Sequence, residues 1–378
     1  MADDAAKAPR LPEELIERIL SHLAPLPSLD DAAFVKARQE LVQIAQCSKQ
    51  LLRLAQPHMY HHTRFNKHLV DEPVFLDPMR AALVRTARLD YGDNARSWYR
   101  DVETLARAPS LEEVEVTAPP IGFELHDLAV NVPALKFLAL HRYDQLLPPS
   151  TTLTHLVSLT LQSVDILHPA ASYFLQPSFL PSLAVLTLGY CSNDAGQQIL
   201  PLPSAALLDQ LDCLVLLQTA CLADLTRFEP PVHTATPILM TIEVENHFPI
   251  LPFPPGSTAP VHLHCFASLP SVYPQHTARA AAILTDVASQ LADRSASPPA
   301  GVWLHPIFHP SHALHERVVE DNPYLSEGLE EVLEAAEERG VRVEYYTREE
   351  EGRSLETARP PAAFWRYARE LKRARAGL

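Results

Sequence analysis

Glycine is scarce. Ten occur in 378 residues, at 92, 122, 189, 196, 256, 301, 328, 340, 352 and 377, and the closest pair, Gly189 and Gly196, is seven apart. The dinucleotide fingerprint G-x-G-x-x-G, the P-loop and the G-x-S-x-G nucleophile elbow need closer glycines, because their backbones turn tightly or press against a phosphate. Spacing alone excludes all three. H-E-x-x-H is also absent, since the stretch from His315 to Val319 lacks the second histidine. Cysteine is sparse too: five thiols, at 47, 191, 213, 221 and 265, contain no C-x-x-C pair. An odd, unpaired set reads as reduced thiols of a cytoplasmic or nuclear protein. No run approaches the roughly 18 apolar residues of a membrane span, and the opening Met1–Arg10 carries two aspartates where a secretory leader needs an apolar core. Positive charge is in deficit, 31 basic against 46 acidic side chains for a formal net charge of −15. Nucleic acid and anionic membranes both require a basic face, so neither is expected as a partner.

Proline, in contrast, is abundant at 35 residues, which implies many short elements with frequent stops. At 47% hydrophobic there is ample material for a core. At about 150 residues per domain the length suggests two or three domains, but a repeat array would count as one.

Residues 1–10 read as a disordered tail and 11–65 as a helical domain. In LPEELIERILSHL (11–23), Pro12 suits a first helical turn, Glu13 and Glu14 favour the positive helix end, and Leu15, Ile16, Ile19, Leu20 and Leu23 form one apolar stripe. A second helix is expected from about Ala32 to Ala55, closed by Pro57. A short helix cannot bury such a stripe alone, so these helices pack on each other or on a partner. On pattern alone, a helical hairpin capping the rest of the chain would suffice.

These residues resemble an F-box: Leu11-Pro12, the apolar helix from Leu15 to Leu23, the step Cys47-Ser48-Lys49, the stop Leu54-Ala55-Gln56-Pro57, and Tyr60. The resemblance covers about 50 residues and departs from the usual pattern in a longer stretch before Cys47. It implies docking on the Skp adaptor of a cullin–RING (SCF-type) ubiquitin ligase, a role that falls by position to Leu11, Pro12, Leu15, Ile19 and Leu20.

The middle of the chain, 66–260, carries a repeat. The template L-x-x-L-x-L, with apolar substitutes, matches Val84/Ala87/Leu89, Leu111/Val114/Val116, Leu135/Leu138/Leu140, Leu156/Leu159/Leu161, Leu183/Leu186/Leu188, Leu211/Leu214/Leu216 and Leu239/Ile242/Val244. Seven ordered matches at steps of 21 to 28 residues point to a solenoid of short parallel strands, each unit covering its neighbour's apolar face. The fold class is therefore α/β, a leucine-rich-repeat-like solenoid behind an α-helical F-box. The resemblance to leucine-rich repeats is irregular: the Asn or Cys that usually follows the strand is present only as Cys191, so turn shapes are expected to vary. Residues between the apolar positions would face the concave side. Glu113, Glu115, Phe137, Val185, Val215 and Glu243 are the candidate target-binding residues, apolar at the centre and acidic at the rims. The alternative is that the chain's own C-terminal part covers the apolar centre.

Residues 261–350 read as larger β–α units, with strands at Val261–Phe266, Val302–His305 and Val341–Tyr346. Residues 351–378 end in a basic helix expected to dock intramolecularly against the acidic run around Glu327–Glu351. Histidines gather at His305, His309, His312 and His315, and at His58, His61 and His62. Pro306 and Pro310 break any helix that would align the first group, so structural or surface roles are expected and no metal or other cofactor.

The function expected is a substrate-recognition subunit, not an enzyme, with the Skp adaptor, through it a cullin, and a target protein as partners. A leucine-rich scaffold without a ligase role is one alternative. A metal-dependent hydrolase built on the C-terminal histidines is the other.

Overall fold

Eleven strands lie side by side in the order in which the chain makes them, and every neighbouring pair in that ladder is parallel. In this computed structural model the described residues are 11–25, 31–65, 73–91, 98–119, 123–146, 151–166, 175–189, 191–192, 198–199, 203–217, 236–242, 260–265, 274–295, 298–346 and 362–376. The strands are β1 (His62–Phe65), β2 (Thr86–Asp90), β3 (Glu113–Thr117), β4 (Phe137–Leu146), β5 (Ser158–Ile166) and β6 (Val185–Gly189). A short antiparallel pair, β7 (Cys191–Ser192) and β8 (Gln198–Ile199), sits beside β5. The ladder resumes with β9 (Cys213–Leu217), β10 (Ile238–Ile242), β11 (Val261–Cys265), β12 (Gly301–Leu304) and β13 (Arg342–Tyr345). Sequential parallel pairing requires one crossover per step in the same sense, giving an α/β architecture compatible with a solenoid-like stack.

Register follows the repeat. Ala87, Val114, Leu138, Leu159, Leu186, Leu214 and Ile238 pair in one line across the sheet, and Leu89, Val116, Leu140, Leu161, Leu188, Leu216 and Met240 in a second. All are buried in a single core. The seventh template match is corrected: the strand's core residues are Ile238 and Met240, four positions before the predicted Ile242 and Val244, and Leu239 lies on the opposite face. Because four is even, the predicted sidedness of Thr241 survives the shift.

Helices α1 (Glu13–Leu23), α2 (Asp31–Gln46), α3 (Lys49–Tyr60), α4 (Pro73–Leu76), α5 (Pro78–Ala81), α6 (Trp98–Leu105) and α7 (Leu125–Asn131) precede or link the early strands. Later come α8 (Ala205–Gln210), α9 (Pro274–Ala292), α10 (Pro323–Arg339) and the terminal α11 (Ala362–Ala376). Gly340 ends α10 at φ 65°, a left-handed cap that a Cβ would strain. Among the described residues no helix is long and apolar enough to cross a membrane.

Strands β3, β4 and β5 share one backbone device, just after β3 and within β4 and β5. Ala118, Arg142 and Ser163 have φ near 50°, and each lies two positions after the second core residue of its strand. In place of an asparagine ladder, rings support this end of the sheet. Tyr91, Trp98, Phe123 and Tyr143 pack in succession, edge-on or tilted, at centroid distances of 6.4, 4.5 and 5.2 Å. The Tyr91 hydroxyl donates to Asp101 and the Tyr143 hydroxyl to the Phe123 carbonyl, so their polar tips are satisfied in the core.

At the N-terminus the single helix expected over 32–55 is two. Ser48 breaks it by accepting a hydrogen bond from the Leu51 N–H, an N-cap that starts α3. Pro57 does not close α3, which runs on to Tyr60. Burial of Met59, and the packing of Tyr60 against both this domain's core and the ladder's, compensates the amide bond that proline removes. The ladder also starts earlier than the predicted boundary at 65: β1 pairs with β2 from His62 onward.

Candidate functional site

Two surfaces carry the predicted site residues. The first is the outer edge of α1. Ile16 and Leu20 point into the three-helix core with Leu41, Ala45, Leu54, Ala55 and Met59. One position away around the helix, Leu11, Leu15, Ile19 and Leu23 are 59, 47, 51 and 36% exposed. A cavity of about 570 Å³ opens beside them, lined in part by Leu11, Ile19, Ile44 and Leu51. Glu13 pairs with Arg53 and ties α1 to α3. Pro12 is exposed beside Leu11. Leu20 needs correction as a partner contact: at 1% exposure it holds the helices together.

The second surface is the sheet face predicted as concave. At its N-terminal end Glu113 is half-buried, while Glu115 is held by Arg88 at 3.1 Å and lies 3.8 Å from His141 Nε2, whose Nδ1 contacts Gln162 at 3.0 Å. This acidic rim is therefore partly neutralised from within. From β4 onward the face is not open. Ala139, Ser158, Thr160, Val185, Thr187, Cys213, Val215 and Thr241 are all at most 1% exposed.

The middle of that face is occupied by α11. Phe364 and Ala368, both fully buried, pack in one cluster with Val185, Cys213, Val215, Leu217, Leu239 and Trp303. Trp303 meets Phe364 edge-on at 5.6 Å, and Phe137 meets Trp365 at 6.3 Å. Asp212, just before β9, anchors the polar side. The Trp365 indole N–H donates to it at 3.2 Å, Lys372 donates at 3.3 Å, and Arg369 lies 3.8 Å away. Lys372 also donates to the Gln210 carbonyl. Val185 and Val215 are thus corrected from exposed target contacts to the seat of the chain's own helix, and Phe137 is a partial contact of it. Glu243 lies outside the described residues. The basic helix does dock intramolecularly, as expected, but its described charge contacts are with Asp212 and not with the acidic face of α10.

No family model, curated protein or solved structure matches the chain.

Under the edge of α11 and beyond it, the same face becomes aromatic and imidazole-rich. His262 lies between Phe364 and Tyr367, at 5.4 and 5.2 Å, with neither ring nitrogen hydrogen-bonded. Burial pushes it down to about 4. His264 and His305 flank Tyr346 at 4.8 and 5.3 Å, and burial takes each down to about 3, His305 adding to the effect on His264 and His312 to that on His305. All three rings are neutral at pH 7. The 305–315 histidines serve the backbone. His305, His309 and His312 each accept, through Nδ1, the N–H two residues on, and His315 Nδ1 bonds the Ile307 carbonyl. Among the described residues no three His, Cys, Asp or Glu side chains group as metal ligands. The thiols of Cys213 and Cys265 are pushed up by burial, the latter to about 12, which leaves them as core residues without nucleophilic character. Sequence reasoning missed the grouping of Asp212 with His262 and His264, because Asp212 precedes β9 whereas both histidines lie on β11. The alternation that sets both histidines on the face opposite Leu263 was the available signal.

Proposed function

We propose that this protein is a recruiting subunit of a cullin–RING ubiquitin ligase, with an F-box at its N-terminus and irregular leucine-rich repeats behind it. The observation that carries the reading is the outer edge of α1. Leu15, Ile19 and Leu23 of α1, with Leu11 just before it, are exposed beside an apolar cavity, on a helix whose inner stripe already has its own core. Contiguous exposed apolar surface of this kind is costly to keep unless a partner covers it. The Skp adaptor is the partner that the Leu-Pro start and the Cys-Ser-Lys step imply. In this reading the chain supplies no reacting group. It raises the effective concentration of a target near the ligase, and partner subunits perform the transfer.

The scaffold reading has support of its own, since Tyr60 packs against the ladder core and α3 leads directly into β1, as a cap would. Co-purification separates the two. Capture of the Skp adaptor by the full chain, lost in Leu11→Ala/Leu15→Ala with the circular dichroism of the ladder intact, is the expected result. A folded chain that never captures the adaptor leaves the helices as a cap alone.

A further inference from the structure

The contact between α11 and the sheet has the character of a bound peptide. Phe364, Tyr367, Ala368 and Leu371 recur at three- and four-residue spacing and are buried or half-buried, while Arg366, Arg369, Glu370 and Arg373 face water. One apolar stripe laid into a groove is a common mode of helix recognition. A 15-residue helix gains little stability by itself, so α11 is helical because it is docked. Its orientation is read by one carboxylate, Asp212, on which Trp365, Arg369 and Lys372 converge. Docking also carries a penalty. It closes Phe364 and Tyr367 over His262, whose two ring nitrogens find no hydrogen bond there and would be hydrated if the helix lifted.

We propose that α11 is a displaceable internal ligand of this face, and that the partner taken up there is an amphipathic helix of the same design. That helix carries two aromatic residues three apart, a small residue directly after the second, and a lysine eight positions after the first, as Phe364, Tyr367, Ala368 and Lys372 do. Only the naming of that helix as a target rests on the recruiting role. Occupancy and release of α11 do not.

The test uses the full chain and a fluorescein-labelled peptide of residues 361–378. Weakening the internal competitor by Phe364→Ala/Tyr367→Ala, or independently removing the shared anchor by Asp212→Asn, has different consequences for binding. The double variant binds the peptide at least tenfold more tightly than the wild-type chain, and adding Val215→Asp to it abolishes binding. Asp212→Asn weakens the hold on internal helix and peptide alike and gives no gain. In the wild-type chain the α11 amides exchange with deuterium at least tenfold faster than those of β9. Peptide binding no tighter in the double variant, with β9 exchange unchanged, overturns the proposal. So do α11 amides as slow as those of β9, which would make the helix a permanent part of the core. Adaptor capture measured on the same samples reads the α1 edge separately, so either idea can fail alone.

Discussion

Replacing Gly301 by alanine places a methyl group where the molecule has no room. The added Cβ would lie 2.9 Å from His262 Nδ1 and 3.3 Å from the Arg342 carbonyl oxygen. Gly301 is the cross-strand neighbour of His262, and the imidazole cannot retreat, because Phe364 and Tyr367 stand over it at 5.4 and 5.2 Å. Two effects oppose. Alanine in a strand interior gains about 0.5–1 kcal/mol over glycine by restricting the unfolded chain, whereas forcing one extra carbon into a packed core costs about 1–3 kcal/mol. The second is the larger here, since one of the two close atoms is backbone and the other belongs to a hemmed ring. Gly301→Ala therefore destabilises the ladder by about 1–2 kcal/mol, read from urea unfolding followed by circular dichroism. Coupling gives the sharper test. In a Phe364→Ala/Tyr367→Ala background His262 has space to move, so the cost of Gly301→Ala shrinks by at least half. An equal cost in both backgrounds, or a stabilising Gly301→Ala, refutes the claim that α11 clamps His262 onto this glycine.

Acid should loosen the C-terminal end of the ladder. His262, His264 and His305 all have folded values below 6.5, so the folded state is favoured by their neutrality above that pH, and this advantage is lost as pH falls toward 4 and 3. For His262 the difference amounts to about 3 kcal/mol. Stability measured between pH 6.5 and 5, before the carboxylates titrate, should already decline, and His262→Phe should flatten part of that slope. A level profile over this window would contradict the burial of these rings. Adjacent residues of α1 should behave oppositely: Leu20→Ala destabilises the three-helix domain by about 2–4 kcal/mol, while Ile19→Ala changes stability by less than about 0.5 kcal/mol and weakens adaptor capture. Ser163 is exposed at φ 53°, so Ser163→Gly relieves left-handed strain and raises stability by about 0.5–1 kcal/mol. A loss of stability in thermal unfolding would refute left-handed strain at Ser163.

Much of the ladder was legible because its determinants are local and repeat. Leucines at offsets of three and two marked six rungs in the register that the sheet adopts, and proline-introduced starts such as Pro133-Ala134-Leu135 set them in phase. The seventh rung slipped because Ile238-Leu239-Met240 is apolar at three consecutive positions, so a template that accepts any apolar residue has no unique frame. The break at Ser48 was missed for a different reason. Apolar spacing continues across it, and only the hydroxyl's hydrogen bond to Leu51 shows where one helix stops and another begins. Of the candidate sites, the apolar stripe of α1 could be read, but not which of its residues turn inward, as Leu20 does. The seat of α11 could not, because it joins Asp212 to Trp365 and Lys372 across more than 150 residues.

Yet the strands themselves record which rungs are covered on both sides. β2 and β3, TARLD and EVEVT, alternate between buried and less buried positions along their length. A strand with one apolar face needs nothing more. In β6, β9 and β11 the alternation disappears, and VLTLG, CLVLL and VHLHC are buried at every position. A parallel strand that is apolar on its second face needs a second layer, and only part of the ladder carries this feature. The change from alternating to continuous burial thus marks the footprint of α11 and its surroundings, and it separates the open, partly neutralised acidic end at Glu113 and Glu115 from a central groove built to receive a helix. An isolated chain fills that groove from its own C-terminus. A partner helix whose aromatic anchors fit the seat better, and which offers His262 a hydrogen bond, would compete for it.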